Sequence, residues 1–128
     1  MSTSTTYRVA AVWFGDAEVT LQVDLDVLTP ELAAEINGFW SGDDDRLRAE
    51  DGNVLLAVIR MFGQVAIRYL MADGGASFGP SDDPYWTEQI IRDQGEGWPD
   101  WQELGILVTA AEVSAVGYDD VTLEAVAV

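Results

Sequence analysis

Residues 54–71 form the longest apolar stretch of the chain and constrain its fold more than any other segment. The polar residues within it, Arg60, Gln64 and Arg68, recur every four positions and therefore share one stripe of an α-helix. Arginines would be costly at the centre of a bilayer, so the pattern predicts a central helix of a soluble domain, with no membrane span. Gly63 costs about 1 kcal/mol in helix propensity, which suggests that another element approaches closely there.

Two β-rich runs lie near the amino terminus, at residues 7–13 and 17–23. The three residues between them give the spacing of a β-hairpin. The second run alternates apolar and polar residues, which is typical of a sheet covered on one face. Residues 1–6 are polar and lack the apolar run of a signal peptide, so we expect a short flexible tail.

Capping residues and glycines predict three to four helices after the hairpin. Thr29 offers a capping hydroxyl, Pro30 fits the first helical position, and Glu31 suits the electropositive first turn. Residues 76–82 predict a loop. The first expected helix runs from Thr29 to residue 39 or 40, and the second from a capping box at residues 41–44 to Gly52. The third runs from an Asn53 cap to residues 73–75, and the fourth from Asp83 and Pro84 to Gly95. An aromatic turn at residues 97–101 follows.

The carboxyl-terminal segment returns to strand chemistry. Residues 106–108, 113–118 and 121–126 are β-rich, and Asp119 and Asp120 provide a turn. The order of elements predicts one α+β domain over residues 1–128. We expect an antiparallel sheet of about four strands, made of an N-terminal and a C-terminal hairpin, with the helices packed on one face.

The reactive side chains are few, because the chain has no Cys, His or Lys and its six basic residues are all arginine. Thiolate nucleophiles, imidazole bases, Schiff-base lysines and His/Cys metal sites are therefore excluded. We predict a protein that is not an enzyme, with no catalytic residue and no cofactor. Without cysteine no disulfide can form, and this absence, with no signal peptide, favours the cytoplasm.

Short acidic runs and a glycine-rich segment can each be interpreted either as functional sites or as ordinary local structure. Residues 43–45, 82–83 and 119–120 could ligate Mg²⁺ or Ca²⁺, but helix starts and turns also explain them. Residues 72–80 are rich in glycine but lack the lysine of a phosphate-binding P-loop. We predict no metal or phosphate site.

Net charge dominates the composition, since 23 Asp and Glu against 6 arginines give −17. Such a protein should repel nucleic acid and anionic membranes and attract basic partners. Surface scaling gives about one net charge per 390 Å², whereas duplex DNA carries one per roughly 110 Å². Mimicry of DNA therefore requires the carboxylates to segregate onto one face, whereas adaptation to high salt or simple solubility does not.

Aromatic residues crowd into 24 positions, from Phe78 to Trp101, and are interleaved with carboxylates. Tyr and Trp are enriched at binding hot spots, although the same residues could form a satellite core. The acidic and aromatic side chains together predict a partner-binding surface, which comprises Asp43, Asp44, Asp45, Asp82, Asp83, Tyr85, Trp86, Glu96, Trp98, Asp100 and Trp101.

Residues 29–40, the opening hairpin and the Ser77-Phe78-Gly79 segment resemble an uncharacterised family of small acidic proteins carried on bacterial plasmids, integrative elements and phages. The resemblance supplies no catalytic motif. It implies a mobile-element setting, in which small proteins often inhibit host defence as anti-restriction or anti-CRISPR proteins.

These expectations combine into one leading hypothesis and two alternatives. The leading one is a DNA-mimic-like inhibitor or modulator, monomeric or homodimeric, that binds a basic host protein such as a nucleic-acid-handling complex. The first alternative is a structural or small-ligand-binding domain whose acidity reflects solubility or salt adaptation. The second is a metal-dependent enzyme that uses carboxylates alone.

Overall fold

A computed structural model describes residues 4–12, 17–115, 119 and 121–126, and within them it contains four strands and five helices. In chain order the elements are β1 (Ser4–Ala10), β2 (Ala17–Asp24), α1 (Pro30–Phe39), α2 (Asp43–Ala49), α3 (Val54–Ala72), β3 (Gly75–Phe78), α4 (Tyr85–Gln94), α5 (Trp101–Leu104) and β4 (Ile106–Ser114).

The strands form one antiparallel sheet in the order β1-β2-β4-β3. In the N-terminal hairpin, Tyr7 pairs with Leu21 and Val9 pairs with Val19. β4 pairs with β2 along one edge and with β3 along the other. The predicted α+β class, the four-stranded antiparallel sheet and the N-terminal hairpin are confirmed.

The source of the fourth strand differs from the prediction. It is β3, which lies in the segment predicted to be a loop, and residues 121–126 form no strand. Both edges of β4 are already paired, so a C-terminal hairpin would find no free edge on it. β4 is itself one continuous strand to Ser114, whereas the sequence pattern divided it; the predicted residues 116–118 and 120 lie outside the described residues.

The start of the sheet also differs from the prediction. β1 begins at Ser4, where backbone pairing with Asp24 starts, so residues 4–6 of the predicted tail belong to the sheet. The predicted hairpin turn at residues 14–16 lies outside the described residues.

The core lies between the helices and one face of the sheet. Along β2, Ala17, Val19, Leu21 and Val23 are buried, whereas Gln22 on the opposite face is exposed. α3 contacts all four strands and buries ten of its residues, and its polar stripe is exposed. By length and composition α3 could cross a membrane, a property that core helices buried in this way share.

Side-chain caps set the predicted helix starts. The Thr29 hydroxyl accepts from the Leu32 amide at 3.2 Å, and the Asn53 side chain accepts from the Leu56 amide at 3.1 Å. These bonds satisfy amides that have no partner inside the helix. The predicted starts of α1 and α3 are therefore confirmed.

Arg46 joins α1 to α2 in a way that the sequence did not predict. Its Nε donates to Asn37 Oδ1 at 2.7 Å, its Nη2 donates to the carbonyls of Asn37 and Trp40 at 2.9 Å each, and its Nη1 donates to the Ser41 carbonyl at 2.7 Å. The predicted capping box is wrong, because Gly42 precedes α2 in a left-handed conformation and makes no side-chain cap. Arg46 instead satisfies the final carbonyls of α1.

Gly63 confirms the predicted close approach, because a Cβ placed there would lie 2.4–2.7 Å from side-chain atoms of Val9 on β1. We expect Gly63→Ala to destabilise the protein by about 1 kcal/mol, since the clash with a stiff β-branched side chain exceeds the gain in helix propensity. Gly38→Ala is the matched control, because nothing lies within 4 Å of its Cβ position. It should stabilise by roughly 0.5 kcal/mol. Urea unfolding measures both variants. If both substitutions changed the free energy of unfolding in the same direction, this packing would be contradicted.

Candidate partner-binding surface

Three aromatic side chains form a contiguous cluster where β3 meets the start of α4. Phe78 and Trp86 stack with centroids 5.8 Å apart and planes 14° apart, and Tyr85 meets Trp86 edge-on at 5.1 Å. Tyr85 is 54% exposed, and the other two are half-buried. The cluster therefore presents aromatic surface to solvent while its inner members pack against the core.

The segment between β3 and α4 is held against β4. The Ser81 amide donates to the Thr109 carbonyl at 2.8 Å, and a Cβ at Gly79 would lie 2.5 Å from that carbonyl oxygen. Glycine is needed at this position because the segment passes so close to β4 and takes a positive φ of 108°. The Asp83 carboxylate then accepts from the Tyr85 amide at 2.9 Å, so the first turn of α4 starts from a fixed position.

A buried hydroxyl fixes α4 to the sheet one turn further on. Thr87 is completely buried, and its Oγ1 accepts from the Val108 amide at 2.9 Å. Val108 lies beside a register shift in the β2–β4 ladder, at Thr20 and Leu21. The helix that carries Tyr85 and Trp86 is thus tied directly to the central strands.

Carboxylates flank the aromatic cluster without basic partners among the described residues. Asp82, Asp83 and Glu88 are exposed. The ion pairs found among the described residues lie elsewhere: one joins β1 to β2, one lies within α2, and one joins the end of α2 to α3. We call Phe78, Asp82, Asp83, Tyr85 and Trp86 the aromatic-acidic surface.

The arginines are segregated from this surface. Five of them, all except Arg92, lie on β1, α2 and α3, whereas residues 73–115 hold nine carboxylates and one arginine. The side of the fold made by β3, α4, α5 and β4 is therefore the more negative one.

Tyr69, near the end of α3, adds a neutral hydroxyl close to this negative side. Burial raises the pKa of its phenol, and the nearby charge of Asp73 raises the pKa further, with smaller contributions from Tyr85 and Asp93. The side chain stays protonated at neutral pH.

The structure brings together some of the predicted binding residues and separates others. Asp82, Asp83, Tyr85 and Trp86 share the aromatic-acidic surface. Asp43, Asp44 and Asp45 form the first turn of α2, where Asp45 pairs with Arg48. Glu96 and Asp100 are exposed near α5, whose first residue, Trp101, is half-buried.

Trp98 occupies the core, as the satellite-core reading allowed. Its side chain is 6% exposed, and its ring meets Phe62 edge-on at 5.1 Å. It is therefore unavailable to a partner, and we leave it out of the binding surface.

Glu88 and Asp73 are neighbours of the surface that sequence reasoning missed. Glu88 lies three residues after Tyr85 on α4, so helical spacing alone could have found it. Asp73 becomes relevant only because the end of α3 approaches α4 in the fold. Among the residues that the structure describes, no group of three or more carboxylates could hold a metal ion.

Comparison with known proteins places this fold in a family. The family described as "Protein of unknown function (DUF2528)" matches residues 18–123. The chain belongs to this family. Protein ea10 of Escherichia phage lambda is similar to it at 33% identity over 112 residues, which cover 85% of this chain and 88% of the phage protein.

A second relative supports the same assignment. The lambda prophage-derived protein ea10 of Escherichia coli O6:H1 matches with the same identity and coverage. These two relatives confirm the phage part of the mobile-element setting that the resemblance predicted. No solved structure matches the chain with significant similarity.

Proposed function

We propose that this DUF2528 protein acts by binding, and that its aromatic-acidic surface docks on a basic surface of a bacterial host protein. The observation that supports the proposal is the contiguous Phe78–Trp86–Tyr85 cluster beside exposed carboxylates that no arginine neutralises in the described part of the chain. The phage relatives give such an interaction a setting.

Arginine is the partner side chain that this surface suits best. A guanidinium stacks on the face of Trp or Tyr and forms bidentate hydrogen bonds with carboxylates. Asp82 and Asp83 immediately precede Tyr85 and Trp86, so one arginine-rich segment could use both kinds of contact.

Charge alone would not give a tight complex. The net charge of −17 over a surface of 8112 Å² amounts to about one charge per 480 Å², far sparser than duplex DNA. Long-range attraction then steers the encounter, and the aromatic side chains supply much of the short-range affinity. A nucleic-acid-handling complex offers a basic surface of this kind. By occupying that surface, the protein would inhibit the complex as a partial mimic of DNA.

Affinity capture from a bacterial lysate at low salt tests the proposal. The immobilised protein is compared with Asp82→Asn/Asp83→Asn, which keeps a side-chain oxygen at residue 83 to accept from the Tyr85 amide, and with Tyr85→Ala. Both variants should bind the captured protein at least about tenfold more weakly.

The matched control is Glu31→Gln/Glu35→Gln, which removes the same charge from exposed positions on α1. It should bind as the unaltered protein does. Equal weakening by both charge-neutralised variants would indicate a nonspecific effect of net charge, and no capture at low salt would reject binding altogether.

A further inference from the structure

A groove lies at the opposite edge of the sheet from the aromatic-acidic surface. It is formed by the end of β1, by α2 and by α3, and has a volume of about 640 Å³. Val9, Met61 and Met71 give it apolar walls, and Arg60 and Arg68 line it as well. Its charged lining comprises Arg46, Arg60 and Arg68 together with Asp45 and Glu50, so the groove carries a small excess of positive charge beside its apolar walls.

Residues 121–126 present apolar side chains that nothing covers in the described structure. Val121 is 57% exposed, Leu123 is 98% exposed and Val126 is 83% exposed. In an extended conformation Val121 and Leu123 share one face, and Glu124 points to the other. The segment is therefore suited to bury an apolar face while it offers a carboxylate to a neighbouring cation.

The groove and this segment are complementary in charge as well as in polarity. Arg60 pairs with Glu50 at 2.7 Å, whereas Arg68 makes no ion pair or hydrogen bond within the described residues. Arg68 therefore lies beside apolar side chains with a charge that no described residue pairs. Glu124 is an exposed carboxylate next to Leu123 and can satisfy it.

The strand register places the groove and the departure of the C-terminal segment at the same end of the sheet. Ala10, which lines the groove, pairs with Glu18, and Glu18 pairs with Glu112 near the end of β4. In a dimer built around a two-fold axis at this end, the C-terminal segment of each copy would lie against the groove of the other copy. Such an interface is closed and uses the same contacts twice.

We propose that the groove binds residues 121–126 of a second copy of this chain, so that the protein forms a reciprocal homodimer. Leu123 inserts between β1 and α3, and Glu124, which points away from the groove floor, pairs at the rim with the exposed Arg68. The second copy covers side chains that are exposed in a single chain, and the fold of each copy is unchanged. The aromatic-acidic surfaces, on the far edge of each sheet, stay free.

Mass measurement over a range of concentrations tests the dimer. Multi-angle light scattering should give twice the 13.9 kDa chain mass at high concentration and fall toward one chain mass on dilution. Leu123→Asp and Arg68→Glu should each raise the dimer dissociation constant at least about tenfold. Leu123 is almost fully exposed in one chain, so its replacement should leave the circular dichroism spectrum unchanged.

A charge exchange makes the test specific. Arg68→Glu combined with Glu124→Arg should recover much of the lost dimer, whereas Arg92→Glu, an equal charge change on α4, should have little effect. The proposal is overturned if the unaltered protein is monomeric at every concentration. This includes the case in which Leu123 is buried by the groove of its own chain. A dimer that persists in Leu123→Asp, or open-ended assembly in place of a dimer, would also reject it.

Discussion

Trp98→Ala is expected to lower the free energy of unfolding by about 3–5 kcal/mol, because it removes a large buried side chain and leaves a cavity against Phe62. Urea unfolding followed by circular dichroism measures the change. Tyr85→Ala, at a 54% exposed position, should change stability by no more than about 0.5 kcal/mol.

Trp98→Phe separates packing from hydrogen bonding at the same site. The buried indole Nε1 of Trp98 has no hydrogen-bond partner among the described residues, so losing it removes no bond found there. We expect this variant to cost on the order of 1–2 kcal/mol. If Trp98→Ala were as stable as the unaltered protein, Trp98 would not be a core residue, and the division between core and surface tryptophans would be wrong.

Thr87→Val is the second substitution with a large expected effect, a loss of about 2 kcal/mol. Valine keeps the shape of threonine but leaves the Val108 amide without its acceptor in a buried position. Denaturant unfolding of Thr87→Val and Thr87→Ser gives the comparison. Serine retains the hydroxyl, so most of the loss should be absent, and a larger loss in Thr87→Ser than in Thr87→Val would argue that the methyl group is the important part.

Local chemistry explains why the helices were predictable. Thr29 and Asn53 cap α1 and α3 through side chains only three residues from the amides that they satisfy. Such signals are complete within a few residues of sequence. The start of α2 was predicted from a capping box that does not form. The junction depends instead on the hydrogen bonds that the Arg46 side chain donates to α1 and its C-terminal end.

Strand pairing was predictable only where a hairpin joined the strands. β3 has four residues, begins with a glycine and pairs with β4 more than 30 residues later, so no local pattern identifies it. Residues 121–125 alternate apolar and polar side chains much as β2 does, but β4 has no free edge for them. Alternation shows that a segment can form a strand, and the partner is decided by the whole fold.

The candidate site was likewise predictable in its composition but not in its three-dimensional arrangement. Its aromatic and acidic composition is visible in the sequence, but Trp86 and Trp98 look alike there, and only the fold places one beside Phe78 and the other against Phe62. The segregation of arginines onto β1, α2 and α3 likewise emerges from the packing of distant segments.

The position of Tyr69 at the end of α3 has a consequence for behaviour in alkaline solution. Its raised pKa means that the unfolded chain loses the phenolic proton before the folded protein does. Stability should therefore decline as the pH rises above about 10, the ordinary tyrosine pKa, toward the higher value in the folded protein. A single phenol at the end of α3 thus makes the free energy of unfolding sensitive to base.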